Sequence, residues 1–113
     1  MANKIKQFRF YENNSTNNYP SDLEDTDLIN GDIFQSYLPI FRLGIQTLPG
    51  TMFYLSEGQP DPIIVGKTGI FELDLEELSD ISRLRFDRAS IDLIQNHPGA
   101  YLIIDMLYEE GGQ

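Results

Sequence analysis

The chain has 113 residues, eight Lys and Arg against 18 Asp and Glu, a net charge of -10 and no cysteine. That length fits one domain with one core, a β-sandwich over residues 1–113 with 1–20 as an N-terminal arm and loop, and not a two-domain enzyme with an interdomain cleft. Seven Phe, six Tyr and a hydrophobic fraction of 41% are too rich for a disordered acidic chain. The negative charge repels phosphate backbones and anionic membranes, so neither nucleic acid nor membrane is an expected partner. Absence of cysteine excludes disulfides, thiolate metal sites and a cysteine nucleophile.

The N-terminal residues Met1 to Gln7 lack the apolar centre of a signal peptide, and the longest apolar run, around Tyr101 to Ile104, ends at Asp105. Synthesis in a cytoplasm is expected. From Lys4 to Tyr11, Phe8 and Phe10 alternate with Gln7, Arg9 and Tyr11 at the period of a strand. Glu12 to Pro20 is rich in Asn and Ser, whose side chains compete for backbone hydrogen bonds, and reads as a loop. Ser21 with Glu24 has capping-box spacing, so a helix of one or two turns is expected before Asn30-Gly31.

Ser36 to Leu48 is dominated by apolar residues, with Pro39 near its start; proline lacks an amide donor and belongs at the beginning or the edge of such a strand. Pro49-Gly50 is a strong turn signal, and with Thr51 to Leu55 returning it predicts a hairpin. After the turn cluster Ser56 to Pro62, Ile63 to Val65 make a further strand, broken by Gly66 to Gly69. In the next strand Phe71, Leu73 and Leu75 share one face, Glu72, Asp74 and Glu76 the other, with Ile70 out of phase. Ile81 to Phe86 repeats the device, with Leu84 and Phe86 inward and Arg83 and Arg85 outward. Asp87 then caps a two-turn helix whose expected core face is Ala89, Leu93 and Ile94, stopped by His97-Pro98-Gly99. Ala100 to Tyr108, apolar on both faces up to Asp105, is expected to lie centrally. The sum is a mainly β fold, an antiparallel, jelly-roll-like β-sandwich with one short α-helix.

Reactive constellations are weak. Gly66-Lys67-Thr68 resembles the end of a phosphate loop, but Asp61 stands where the first glycine is required and no helical pattern follows, so a turn between strands is expected. Asp25, Asp27 and Asp32 approach a calcium loop, yet Ile29 holds a ligand position and Ser36 stands where the closing glutamate belongs. His97 is about two turns from Ser90, too far for a triad, and suits a helix C-terminus. No catalytic, cofactor or metal residue is assigned. Glu72, Asp74, Glu76, Glu77 and Asp80, followed by Arg83, Arg85 and Arg88, suit charge pairing between subunits; pairing within one chain or simple solvation are the alternatives.

The run Ile64-Val65-Gly66-Lys67-Thr68-Gly69-Ile70-Phe71-Glu72-Leu73-Asp74-Leu75, with Leu43 to Thr51 before it and Ala100 to Asp105 after it, resembles small virion proteins of tailed bacteriophages and prophages. The likeness spans roughly Leu43 to Tyr108 and carries no chemistry that separates tail, baseplate, collar and fibre-associated components. It implies a non-enzymatic, β-rich structural subunit working in a ring or trimer, located in the virion, with copies of itself and other virion proteins as partners. The interface candidates are Phe8, Phe10, Tyr37, Glu72, Asp74, Arg83, Arg85 and Tyr101, since Tyr and Phe beyond what the core hides become contact anchors. Two rival functions are a carbohydrate-binding module, weakened by the absence of Trp, and an acidic nucleic-acid mimic, weakened because the acids bunch at Asp22–Asp32 and Glu72–Asp80.

Overall fold

The computed structural model describes residues 3–11, 25–74 and 81–109. The expected loop at 12–20, the capping box and Leu75 to Asp80 lie outside these residues. In chain order the described elements are β1 (Asn3–Phe10), α1 (Asp25–Asn30), a 3-10 helix (Ile33–Tyr37), β2 (Ile40–Gln46), β3 (Met52–Tyr54), β4 (Ile63–Ile64), β5 (Ile70–Asp74), β6 (Arg85–Phe86), α2 (Arg88–Gln95) and β7 (Leu102–Glu109). The strands form two antiparallel sheets, in the orders β1-β7-β2-β5 and β4-β3-β6. The fold is mainly β, a small sandwich with short helices at its side.

Alternation decides what each strand buries. Phe8 and Phe10 of β1 point into the core while Gln7 and Arg9 face solvent. Leu102, Ile103 and Ile104 are all buried because β7 is central: β1 flanks it from Asn3 opposite Glu109 to Phe10 opposite Leu102, and β2 lies on its other side. Pro39 stands immediately before β2, where its missing amide leaves no gap in the ladder.

The hairpin expected at Pro49-Gly50 is not one. β2 pairs with β5 in one sheet, and β3 pairs with β4 in the other. Both pairings nevertheless belong to one register: five residues separate Gln46 from Met52 and five separate Ile64 from Ile70, while Gln46 lies opposite Ile70 and Met52 opposite Ile64. Hydrogen bonds continue through the gap, from Thr47 N to Gly69 O at 2.9 Å, Gly50 N to Val65 O at 2.8 Å and Val65 N to Thr51 O at 2.9 Å. The chain therefore makes one long hairpin, bent where it passes from the first sheet to the second. Its tip is the Ser56–Pro62 cluster, and Pro49-Gly50 and Gly66–Gly69 form the two sides of the bend. Turn residues mark a change of direction, and here that change is a corner.

The face of α2 departs from expectation in part, since Ile94 is buried as expected but Ala89 and Leu93 are not. Ser90, Ile91 and Ile94 are buried, whereas Ala89 is exposed and Leu93 is 69% exposed. Ser90 explains the rotation, because its Oγ accepts the backbone N–H of Met52 at 3.0 Å and turns that edge of the helix inward. A polar residue bonded to a strand start is invisible to a search for apolar periodicity. Asp87 occupies the N-cap position with extended backbone, as expected, but its side chain makes no capping bond.

Two aromatic clusters lie inside. Phe8 meets Phe34 edge-on at 5.7 Å and Tyr37 at 5.6 Å, and Tyr37 meets Tyr108 at 5.1 Å. Phe53 meets Phe71 at 4.9 Å and Phe86 at 5.7 Å, linking the two sheets. Such pairs add about 0.5–1.5 kcal/mol each beyond the area they bury.

Candidate functional site: the outer face of the four-stranded sheet

Outward-facing residues of β1, β7, β2 and β5 meet in cross-strand rows set by the registers. The first row is Ile5, Leu107, Arg42 and Asp74; the second is Gln7, Asp105, Gly44 and Glu72; the third is Arg9, Ile103, Gln46 and Ile70. Gly44 contributes no side chain, so the middle of the sheet sinks between Asp105 and Glu72. The result is an open groove of about 560 Å³, lined among others by Ile5, Arg42, Gly44, Glu72, Asp105 and Leu107.

Two of its carboxylates have partners. Gln7 Nε2 donates to Asp105 Oδ1 at 2.7 Å, and Arg42 Nε donates to Asp74 Oδ1 at 2.7 Å. The Arg42 and Asp74 side chains are 67% and 74% exposed, so water screens their attraction and the pair adds little stability. Its use is to fix the position of charge on the face. Among the described residues no three His, Asp or Glu side chains converge to hold a metal ion. Among those same residues the groove is lined by no histidine and by no serine or threonine beside a base. What it offers is hydrogen-bonding groups of both signs and one apolar corner, Ile5 (78% exposed); Ile70 (50% exposed) stands on the same face of the sheet, on the other outer strand.

The residues singled out from sequence are scattered over the fold. Phe8 and Phe10 are 3% and 2% exposed and lie in the core, so neither is available to a partner in this fold. Tyr37 is half-buried between Phe8 and Tyr108. Of the tyrosines described, Tyr11 is buried, Tyr37, Tyr54 and Tyr108 are half-buried, and Tyr101 alone is exposed. The surplus of surface rings expected from composition is thus small among the described residues: most of them fill the core.

Glu72 and Asp74 do share the solvent face of β5. The arginines lie elsewhere. Arg83 donates to Asp32 Oδ1 at 2.6 Å, to Glu57 Oε2 at 3.3 Å and from Nε to the Asn30 carbonyl at 2.7 Å. It ties the end of α1, the hairpin tip and the approach to β6 together within one chain. Arg85 lies over the Tyr54 ring at 4.2 Å, and Arg88 is exposed at the start of α2. His97 is exposed beyond α2, its Nδ1 3.0 Å from the Pro98 carbonyl. Gly66–Gly69 is a turn closed by Gly69 N donating to Gly66 O at 3.0 Å.

The groove residues Arg42, Gly44 and Asp105, and Gln7 bonded to Asp105, were not singled out from sequence. Each obeys strand alternation, but what assembles them is pairing between strands from opposite ends of the chain, and periodicity within a strand does not encode it. Compared with protein-family models, curated proteins and solved structures, the chain matches none.

Proposed function

We propose that this chain is a non-enzymatic structural protein of a tailed-bacteriophage virion, made in the host cytoplasm, that binds copies of itself and neighbouring virion proteins. The observation that supports this best is the outer face of the four-stranded sheet, where apolar side chains stand exposed on both outer strands. The bacteriophage-like run from Ile64 to Asp74 adds to it, since it forms β4, one side of the corner and β5 and ends on that face. Contact is the work such a face can do: mixed-sign polar groups orient a partner while apolar area is covered.

Electron microscopy of particles from a strain carrying the coding sequence, labelled with gold-conjugated antibody against the chain, tests the reading. Gold confined to one structural position supports it. Particles that stay unlabelled after disruption of tail and capsid refute it.

A further inference from the structure

We propose that the two outer strands of the four-stranded sheet bind each other across copies, β5 of one molecule against β1 of the next, so that the sheet continues head to tail. This rests on the reading of the chain as an assembly subunit and names the surface that would do the assembling. Among the described residues neither strand has a second neighbour: β1 pairs only with β7 and β5 only with β2. Among the described residues the outer side of each is thus a sheet edge, the kind of surface suited to strand addition.

Strand direction favours this partner. All neighbours in the sheet are antiparallel and the strands number four, so β1 and β5 run in opposite senses. A second copy placed beside the first in the same orientation brings β1 against β5 antiparallel, continuing the existing ladder without inverting the molecule.

Charge favours it too. β1 carries Lys4, Lys6 and Arg9 and no acid, three of the eight basic residues in a chain of net charge -10. β5 carries Glu72 and Asp74 and no base, Asp74 being paired with Arg42 of β2. Lys4 and Arg9 also engage neighbours within the chain, and it is the sign of each edge that matters. Two copies repel each other over most of their surfaces, and an edge of opposite sign is where approach is least opposed.

Side-chain pattern selects a register. With Glu72 opposite Arg9 of the next copy, Asp74 falls opposite Gln7, and the inward Leu73 and Phe71 fall opposite the inward Phe8 and Phe10. Outward polar residues then meet outward polar residues and the apolar layer beneath is continuous, as cross-strand pairing requires. The contact joins unlike edges and leaves one of each free, so it builds rings or filaments instead of closed dimers.

Since the chain has no cysteine, introduced thiols are the only ones present. Gln7→Cys and Asp74→Cys proteins, one carrying a mass tag, are mixed in equal amounts at high concentration and oxidised. Opposed residues in an antiparallel pair have Cα atoms about 4.5–5.5 Å apart, within disulfide range. The expected result is a mixed disulfide, joining position 7 of one copy to position 74 of the other, on the order of fivefold above the statistical yield. A second mixture, Arg9→Cys with Glu72→Cys, reads the same register independently and is expected to behave alike. Wild-type circular dichroism in all four variants shows that each is folded. A statistical mixture in both experiments, or a predominance of either homodimer, overturns the proposal. Chain found in particles with no mixed disulfide would reject the edge contact alone, whereas mixed disulfide without the chain in particles would reject the virion reading alone.

Discussion

Replacing Gly69 by alanine tests whether the two sheets are sides of one bent hairpin. Gly69 has φ +75, a conformation that costs a non-glycine residue about 1–2 kcal/mol. A Cβ there would also lie 2.6 Å from the Thr47 carbonyl oxygen, which is backbone and cannot rotate away. Relieving that contact moves apart the strands joined by the 2.9 Å bond from Thr47 N to Gly69 O, and a backbone bond weakened in this way forfeits about 1 kcal/mol. Gly50, on the opposite side of the same bend, is the control: its φ is +90, and a Cβ there meets nothing within 4 Å. Gly50→Ala is expected to lose only the conformational part, about 1–2 kcal/mol, and Gly69→Ala about 1–2 kcal/mol more than that. Urea unfolding followed by circular dichroism, with unchanged m-values, measures the difference. Equal losses for the two variants would refute close approach of the two arms at the corner.

Two further substitutions probe the packing. Thr47 is buried at the corner and its Oγ1 has no hydrogen-bond partner among the described residues, so Thr47→Val is expected to raise stability by about 1 kcal/mol; a loss of similar size in the same urea assay would show that the hydroxyl is satisfied. On α2, Ile94→Ala removes a fully buried side chain and is expected to cost about 2–5 kcal/mol, while Leu93→Ala stays within about 0.5 kcal/mol of wild type; a loss for Leu93→Ala as large as that for Ile94→Ala would restore the helix face expected from apolar spacing.

Strand identity was legible in the sequence wherever a strand buries one face. Phe8 and Phe10 in β1, Phe71 and Leu73 in β5, and the doubly buried Leu102–Ile104 in β7 follow from alternation and need no partner information. Pairing was not legible at the corner. Pro49-Gly50 supplies the same turn chemistry whether the chain returns beside itself or crosses to a second sheet, and only the companion turn at Gly66–Gly69 decides which. The helix face failed at Ser90, because a hydroxyl bonded to the Met52 amide outweighs the apolar preference of Leu93 for the inside. Arginine pairing failed for a related reason: Arg83 follows an acidic strand in sequence, yet its partners are Asp32 and Glu57, brought to it by tertiary folding. The outer-face groove depends wholly on the order β1-β7-β2-β5, which no single segment specifies.

Quantitative mass spectrometry of purified particles bears most directly on the claim that this chain works by assembly in a virion. The account predicts that the chain co-purifies at a constant ratio to the major virion proteins, a ratio fixed by ring or trimer symmetry. Particles devoid of the chain, with the protein left wholly in the cleared lysate, would contradict it.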